Sequence, residues 1–223
     1  MQTFPLFLNS GHLFIEIDNR TFLFDSGAPN SFGVGSSLML CDREFSLPTN
    51  YLGLTDENLT TLVGCPVSGI LGADIINHFD VLIDSQSGQI SFTTEQVECL
   101  GDCIGMDDFM GIPVLNTQIK GVTRRMFFDS GAQISYFQDG SISNFPAAGQ
   151  FTDFFPGMGQ FETKTYMVDL VLGASSYRLR FGTLPGLLGL SLMLANTDGI
   201  IGNEVLRERV AGFFPRRKLL VLV

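Results

Sequence analysis

The chain has 223 residues, 45% of them hydrophobic and only 16% charged, with 21 Phe, 25 Gly and no Trp. So low a charged fraction, carried on so much aromatic and aliphatic content, excludes a disordered or low-complexity chain, and the length suffices for one large domain or two small ones. A net charge of −10 opposes neutralisation of nucleic-acid phosphates or of anionic lipid, so neither nucleic acid nor a membrane is an expected partner.

In chain order, Leu13-Phe14-Ile15-Glu16-Ile17 and Thr21-Phe22-Leu23-Phe24 are β-rich runs joined by Asp18-Asn19-Arg20, which predicts a hairpin. The second run enters Asp25-Ser26-Gly27-Ala28. Gly33-Val34-Gly35-Ser36-Ser37 then reads as a loop near the site; it has the glycines of a phosphate loop without its Lys or a following helical pattern. Gly69-Ile70-Leu71-Gly72-Ala73-Asp74-Ile75-Ile76 predicts a short buried strand, a glycine, and a short helix with an acid in its first turn, where the dipole favours it. His78 is expected to end that helix, where positive charge is favoured. A turn at Ser85-Gln86-Ser87-Gly88 precedes one more strand, Gln89-Ile90-Ser91-Phe92.

Beyond a junction at residues 98–108, whose glycines and acids carry no periodic pattern, the same order of signals returns. Val114 to Ile119, the turn Lys120-Gly121 and a strand ending Met126-Phe127-Phe128 lead into Asp129-Ser130-Gly131-Ala132. Phe-Asp-Ser-Gly-Ala therefore occurs twice, 104 positions apart. Gly199-Ile200-Ile201-Gly202-Asn203-Glu204-Val205-Leu206 matches the block at Gly69, with Glu204 facing Asp74. Leu187-Leu188-Gly189 has a similar form, but the matching helix favours Ile200-Ile201-Gly202. Residues 219–223 supply a closing strand. The chain reads as a tandem duplication of a mostly β unit: residues 1–100, a linker at 101–110, and residues 111–223. Asp25 to Gly69 spans 44 positions and Asp129 to Gly199 spans 70, so the second unit holds an insertion.

A single Asp-Ser-Gly is an ordinary turn. Two copies, each closing an apolar strand in its own half, suggest a pseudo-two-fold arrangement in which Asp25 and Asp129 meet. Like charges in contact cannot both ionise cheaply, so such a pair holds one proton and offers one acid and one base. That combination deprotonates a water while protonating a carbonyl, which is amide hydrolysis without a covalent intermediate. Ser26 and Ser130 offer hydroxyls to bridge the loops, and Gly27 and Gly131 offer unobstructed N–H groups to the carboxylates.

With these residues the chain resembles the pepsin and retropepsin aspartic proteases, which have two Asp-Thr/Ser-Gly loops and, in each half, a later hydrophobic-hydrophobic-Gly element beneath the loop. The resemblance implies an all-β, two-lobed acid-protease fold, Asp25 and Asp129 as the catalytic pair, and Ser26, Gly27, Ser130 and Gly131 as its support. Ala28 and Ala132 follow the retroviral type, which implies a mildly acidic optimum. Gly157-Met158-Gly159 in the second-half insertion looks like a flap tip, with Met158 expected over the pair and strands at 163–168 and 177–181. The implied activity is an aspartic endopeptidase acting on extended polypeptides at hydrophobic residues, needing no metal or organic cofactor and complete within one monomer.

The other readings are less favoured. His12 and His78 lie near no nucleophile motif, which opposes a Ser-His-Asp triad, and glycosidase carboxylates stand farther apart around a sugar. Five cations near the C-terminus, Arg207, Arg209, Arg216, Arg217 and Lys218, read as a solvated face. The four Cys lack zinc-like spacing and read as unpaired, partly buried thiols. The start of the sequence shows no basic stretch with a cleavage site, so a cytoplasmic location is expected. The alternative function is a peptide-binding or dimerisation module that keeps the fold without catalysis.

Overall fold

A computed structural model of the chain describes residues 1–155 and 158–223. Most of it is strand. In the first half, β1 (Gln2–Asn9), β2 (His12–Ile17) and β3 (Arg20–Phe24) form successive hairpins, followed by β4 (Phe32–Gly33), β5 (Ser37–Leu40), β6 (Arg43–Ser46), α1 (Asp56–Val63), β7 (Gly69–Leu71), α2 (Ala73–Ile76), β8 (Asp80–Asp84) and β9 (Gln89–Thr93). The second half repeats the order with β10 (Asp102–Phe109), β11 (Ile112–Ile119), β12 (Val122–Phe128) and β13 (Ser135–Phe137). After these come β14 (Ala147–Phe155), β15 (Gly159–Leu172), β16 (Ser175–Thr183), α3 (Gly186–Leu194), β17 (Gly199–Ile201), β18 (Val210–Phe214) and β19 (Leu219–Leu222).

The turns explain the hairpins. Asp18 and Asn19 have φ of 51° and 58°, and Lys120 and Gly121 have 51° and 75°, the left-handed pair that matches the twist of two strands joined by two residues. In each half a central strand is then threaded between two others. β7 pairs parallel with β3 and antiparallel with β4, and β17 pairs parallel with β12 and antiparallel with β13. This is the role expected of the Ile-Leu-Gly and Ile-Ile-Gly elements; Leu187-Leu188-Gly189 belongs instead to α3. The short helix after Gly72 is present as α2, and its counterpart at Asn203–Leu206 is a single 3-10 turn.

One sheet joins the halves, in the order β1-β9-β8-β18-β19-β10, with every pairing antiparallel. At its centre Leu82 pairs with Gly212, two positions that match when the halves are aligned on Gly72 and Gly202. Much of the expected linker is therefore strand: β10 alternates buried Ile104 and Met106 with outward residues, and it pairs with β19 and then β11. The main core runs through both halves, with Phe24, Phe79, Phe92, Phe128 and Phe213 all buried and ring centroids 5.8 Å apart for Phe79–Phe92 and 5.9 Å for Phe128–Phe213. Each such ring contributes about 1.5–3 kcal/mol by leaving water.

Four of the five C-terminal cations are tied down by the fold, while Lys218 stays exposed, 3.6 Å from Asp108. Arg216 and Arg217 both donate to the carboxylate of Asp80, at 2.8 and 2.5 Å, where Asp80 is fully buried. Arg207 donates to the Gln133 carbonyl, and Arg209 lies over the Tyr177 ring while bonding its hydroxyl. The reason is that a buried carboxylate and loose carbonyls at the joint between the halves need donors. His78 follows the end of α2 as expected, its backbone N–H on the Ile75 carbonyl at 3.1 Å, but its ring lies tilted against Phe45, 5.4 Å between centroids, and burial and the Arg43 guanidinium hold its pKa below the usual value. All four thiols are free; Cys103 is exposed and the others half-buried. Among the described residues, no helix is long and apolar enough to cross a membrane.

Candidate active site

Asp25 and Asp129 follow the inner strands β3 and β12, and each is tied to its threaded strand: Asp25 N–H donates to the Leu71 carbonyl at 3.0 Å and Asp129 N–H to that of Ile201 at 2.9 Å. Each loop then turns its own N–H groups onto its carboxylate. Asp25 Oδ1 accepts from Gly27 N at 3.0 Å and Ala28 N at 2.9 Å; Asp129 Oδ1 accepts from Gly131 N at 2.9 Å and Ala132 N at 3.2 Å. Two such bonds fix a carboxyl plane and favour its ionised form.

The serines lock the loops to each other. Ser26 Oγ donates to the Phe128 carbonyl at 2.9 Å and accepts from Ser130 N at 3.0 Å, while Ser130 Oγ donates to the Phe24 carbonyl at 2.9 Å and accepts from Ser26 N at 2.9 Å. Every donor and acceptor of this buried cross is satisfied by the opposite half. The glycines are required by close approach. A Cβ on Gly27 would come within 2.6 Å of Asp129 Oδ1, and one on Gly131 within 2.7 Å of Asp25 Oδ1, so any side chain would drive the carboxyls apart.

The result is a direct hydrogen bond between the Asp25 and Asp129 side chains. Both keep some surface open to a cleft although protein surrounds them. Burial first, then the Asp129 charge, raises the Asp25 pKa well above the usual carboxylate range. Burial also raises that of Asp129, against the hydrogen bond from Asp25 and the loop N–H groups. The pair therefore titrates as a unit and keeps a shared proton above the pH at which an exposed aspartate loses it.

Above the carboxyls lies a cavity of about 120 Å³, with walls from both halves that are mostly apolar. The β14–β15 hairpin supplies Asp153, Phe154, Phe155 and Phe161 to this cavity. Of the proposed flap tip, Gly157 lies outside the described residues, Gly159 starts β15 with φ +83°, and Met158 is exposed and is not among the lining residues. Met158 N–H donates to the Phe155 carbonyl at 3.0 Å. From the first half a much smaller hairpin, Tyr51 paired with Leu54 around Leu52 and Gly53, reaches the same cavity with Tyr51 and Leu52.

Several lining residues are not marked by any motif. His12 is buried against the second loop; its Nδ1–H donates to the Gly131 carbonyl at 3.1 Å and Gln133 donates to its other nitrogen, leaving a neutral ring whose pKa burial holds down. Tyr136 on β13 donates its hydroxyl to Asp153 on β14. The available sequence signals were weak: Tyr136 occupies the position of Phe32 in the repeat, and Asp153 is a lone acid in the aromatic run Phe151-Thr152-Asp153-Phe154-Phe155.

No family model matches the sequence, and no curated protein matches it. Among solved structures the chain is similar to a retropepsin-like aspartic protease from Rickettsia conorii, with 12% identity and a TM-score of 0.36, over 54% of this chain and 87% of that one.

Proposed function

We propose that the chain is an aspartic endopeptidase with a two-lobed, pepsin- and retropepsin-like fold. Its lobes are residues 1–100 and 111–223, joined through 101–110, and its catalytic pair is Asp25 and Asp129. One observation carries this reading: two carboxyls from identical loops, each held by two backbone N–H groups, hydrogen-bonded to one another on the floor of an apolar cleft. A module that only bound peptides would have no use for a shared buried proton that burial and repulsion make costly.

In the proposed reaction a water between the carboxyls gives a proton to the ionised partner as its oxygen adds to the scissile carbonyl carbon. The other carboxyl protonates the carbonyl oxygen, forming a gem-diol. The first then protonates the amide nitrogen as the C–N bond breaks, and the second recovers its proton from a gem-diol hydroxyl. Both carboxyls are raised by burial first, and each is held by the same two N–H groups of its own loop, so either can serve as donor while its partner is the base. The polypeptide lies extended beneath the β14–β15 hairpin, which lifts to admit it and carries Met158 and Gly159 at its far end. The protein acts as a monomer.

The test is incubation with a diverse peptide mixture across pH 3–8, beside Asp25→Asn and Asp129→Asn, with products sequenced. Cleavage lost in both variants supports the reading. Cleavage that persists in either, or no cleavage by the parent at any pH, refutes it.

A further inference from the structure

The cleft holds a third carboxyl that the dyad chemistry does not use. Asp153 sits on β14, half-buried and lining the cavity beside Asp129, whose charge it feels. Its Oδ1 accepts from Phe154 N at 2.8 Å, and its Oδ2 accepts from the Tyr136 hydroxyl. A carboxylate has about four acceptor positions, so roughly two remain for whatever enters the cavity. Tyr136 fixes the group in place: it is 2% exposed, is anchored on β13 next to the Asp129 loop, and its ring meets Phe161 of the hairpin.

No counter-ion accompanies this carboxyl. Among the described residues lining the cavity there is no Lys or Arg. Arg180 is the cation that acts on Tyr136, but its guanidinium donates to Thr165 Oγ1 and to the Ala148 and Gln150 carbonyls, and lies over the Phe151 ring. Around Asp153 the wall is apolar, with Phe155, Phe161, Leu184 and Ile200. That combination suits a side chain with a long aliphatic stem and a charged donor at its end.

Resting on the protease reading above, we propose that Asp153 determines specificity: the cleft takes an extended peptide with one lysine or arginine next to the scissile bond, its cation seated on the Asp153 carboxylate. The remaining side chains of the peptide fill the apolar walls. In the empty cleft, burial and the Asp129 charge keep Asp153 inclined to hold a proton. An incoming cation reverses that balance, and the charge-assisted bond it makes is stronger than a neutral donor would give. The first half has no such device, since its counterpart of Tyr136 is Phe32.

The test measures binding apart from catalysis. Asp25→Asn protein is titrated by calorimetry with octapeptides that are identical except for Lys or norleucine on either side of the central bond. The expected result is at least about ten-fold tighter binding of one Lys peptide, a preference lost when Asp153→Asn is added while the norleucine peptide binds as before. If Asp153→Asn also loses the norleucine peptide, Asp153→Glu must retain the Lys preference for the proposal to stand. Equal affinities, no binding of either peptide, or a preference that survives Asp153→Asn overturns it. The two ideas fail separately: a Lys preference in binding with no cleavage by the parent protein refutes the protease reading alone, and cleavage without the preference refutes the specificity alone.

Discussion

Phe32 and Tyr136 occupy the same position after the aspartate in the two halves, and both are buried, yet their surroundings differ. Phe32 belongs to an apolar cluster with Leu59 and Val63 of α1, whereas Tyr136 spends its hydroxyl on Asp153 of the long β14–β15 hairpin, where the first half has only the four-residue strands β5 and β6. The strand after each loop shows the same divergence. Ser31 and Ser135 both accept from the glycine of the threaded strand, Gly72 at 2.8 Å and Gly202 at 3.1 Å, but Ser31 also donates to Asp74, while the matching Glu204 accepts from Arg180 N. Identity is retained where both halves must contact one another, at Asp-Ser-Gly and its cross of serines. It is lost where each half faces its own side of the cleft. The halves thus share a floor and differ in their walls.

The largest expected effect tests the shared floor. Asp25→Asn and Asp129→Asn should each lower kcat by about 10²–10⁴-fold or more, because each removes the only acid or base of the pair. Equal losses support a shared role; a variant within ten-fold of the parent would show that one half alone carries the chemistry. Next comes the joint. Asp80 in the first half matches Val210 in the second, so this one-sided clamp has no copy. Asp80→Asn should cost about 2–3 kcal/mol in urea unfolding, less than the ~3–5 of a fully enclosed pair because both guanidiniums reach water. A change below about 0.5 kcal/mol would remove the clamp from the account.

The serine cross should respond more evenly. Ser26→Ala and Ser130→Ala each delete one donor and strand one buried N–H, costing about 2 kcal/mol apiece. Since each hydroxyl serves the same cross, the double variant should cost clearly less than the sum. Strict additivity, or a loss in only one single variant, would mean that the two loops are held independently.

What is legible in the sequence is what is local. The two pentapeptides, the Asp18-Asn19 and Lys120-Gly121 turns and the paired Ile-Gly elements are contiguous signals, and each lies in the element it suggests. Helix α1 also carries a local signature, with Thr55 as N-cap, Asp56 and Glu57 in the first turn and Gly64 at φ 75°, and it follows the small Tyr51–Leu54 hairpin directly. Strand β1 has little to read, because only Leu6 of its eight residues is fully buried and no alternation results. The contacts that are not legible are distant ones. Asp80 and Arg217 are 137 positions apart, and nothing near either predicts the other. His12 joins the second loop only because a hairpin of the first half crosses over it. Asp153 and Tyr136, 17 positions apart, meet only through the β14 turnback, so a cleft acid reads in sequence as a polar residue among aromatics.

The smallest expected effect asks whether the identical loops hold their carboxyls against their charge. Both dyad carboxyls have folded-state pKa values raised above their unfolded ones. In the window between those values the folded protein binds more protons than the unfolded chain, so the sign is fixed. The stability these groups confer is complete below the ordinary carboxylate range and is lost as pH rises through the raised values. An asparagine carries no charge to repel its partner, and so removes its share of that loss. At pH 7 Asp25→Asn should therefore stabilise the fold by something on the order of 1 kcal/mol, about 2–4 °C in Tm, while both variants should match the parent more closely at pH 4. The gain is small because both carboxyls keep contact with the cleft, where water screens them. Burial is the first cause of the rise for both carboxyls, so Asp129→Asn should gain in the same direction. Thermal unfolding of the three proteins from pH 4 to 8 reads this directly. A parent whose Tm does not fall across that range would mean that the carboxyls are not held against their charge at all.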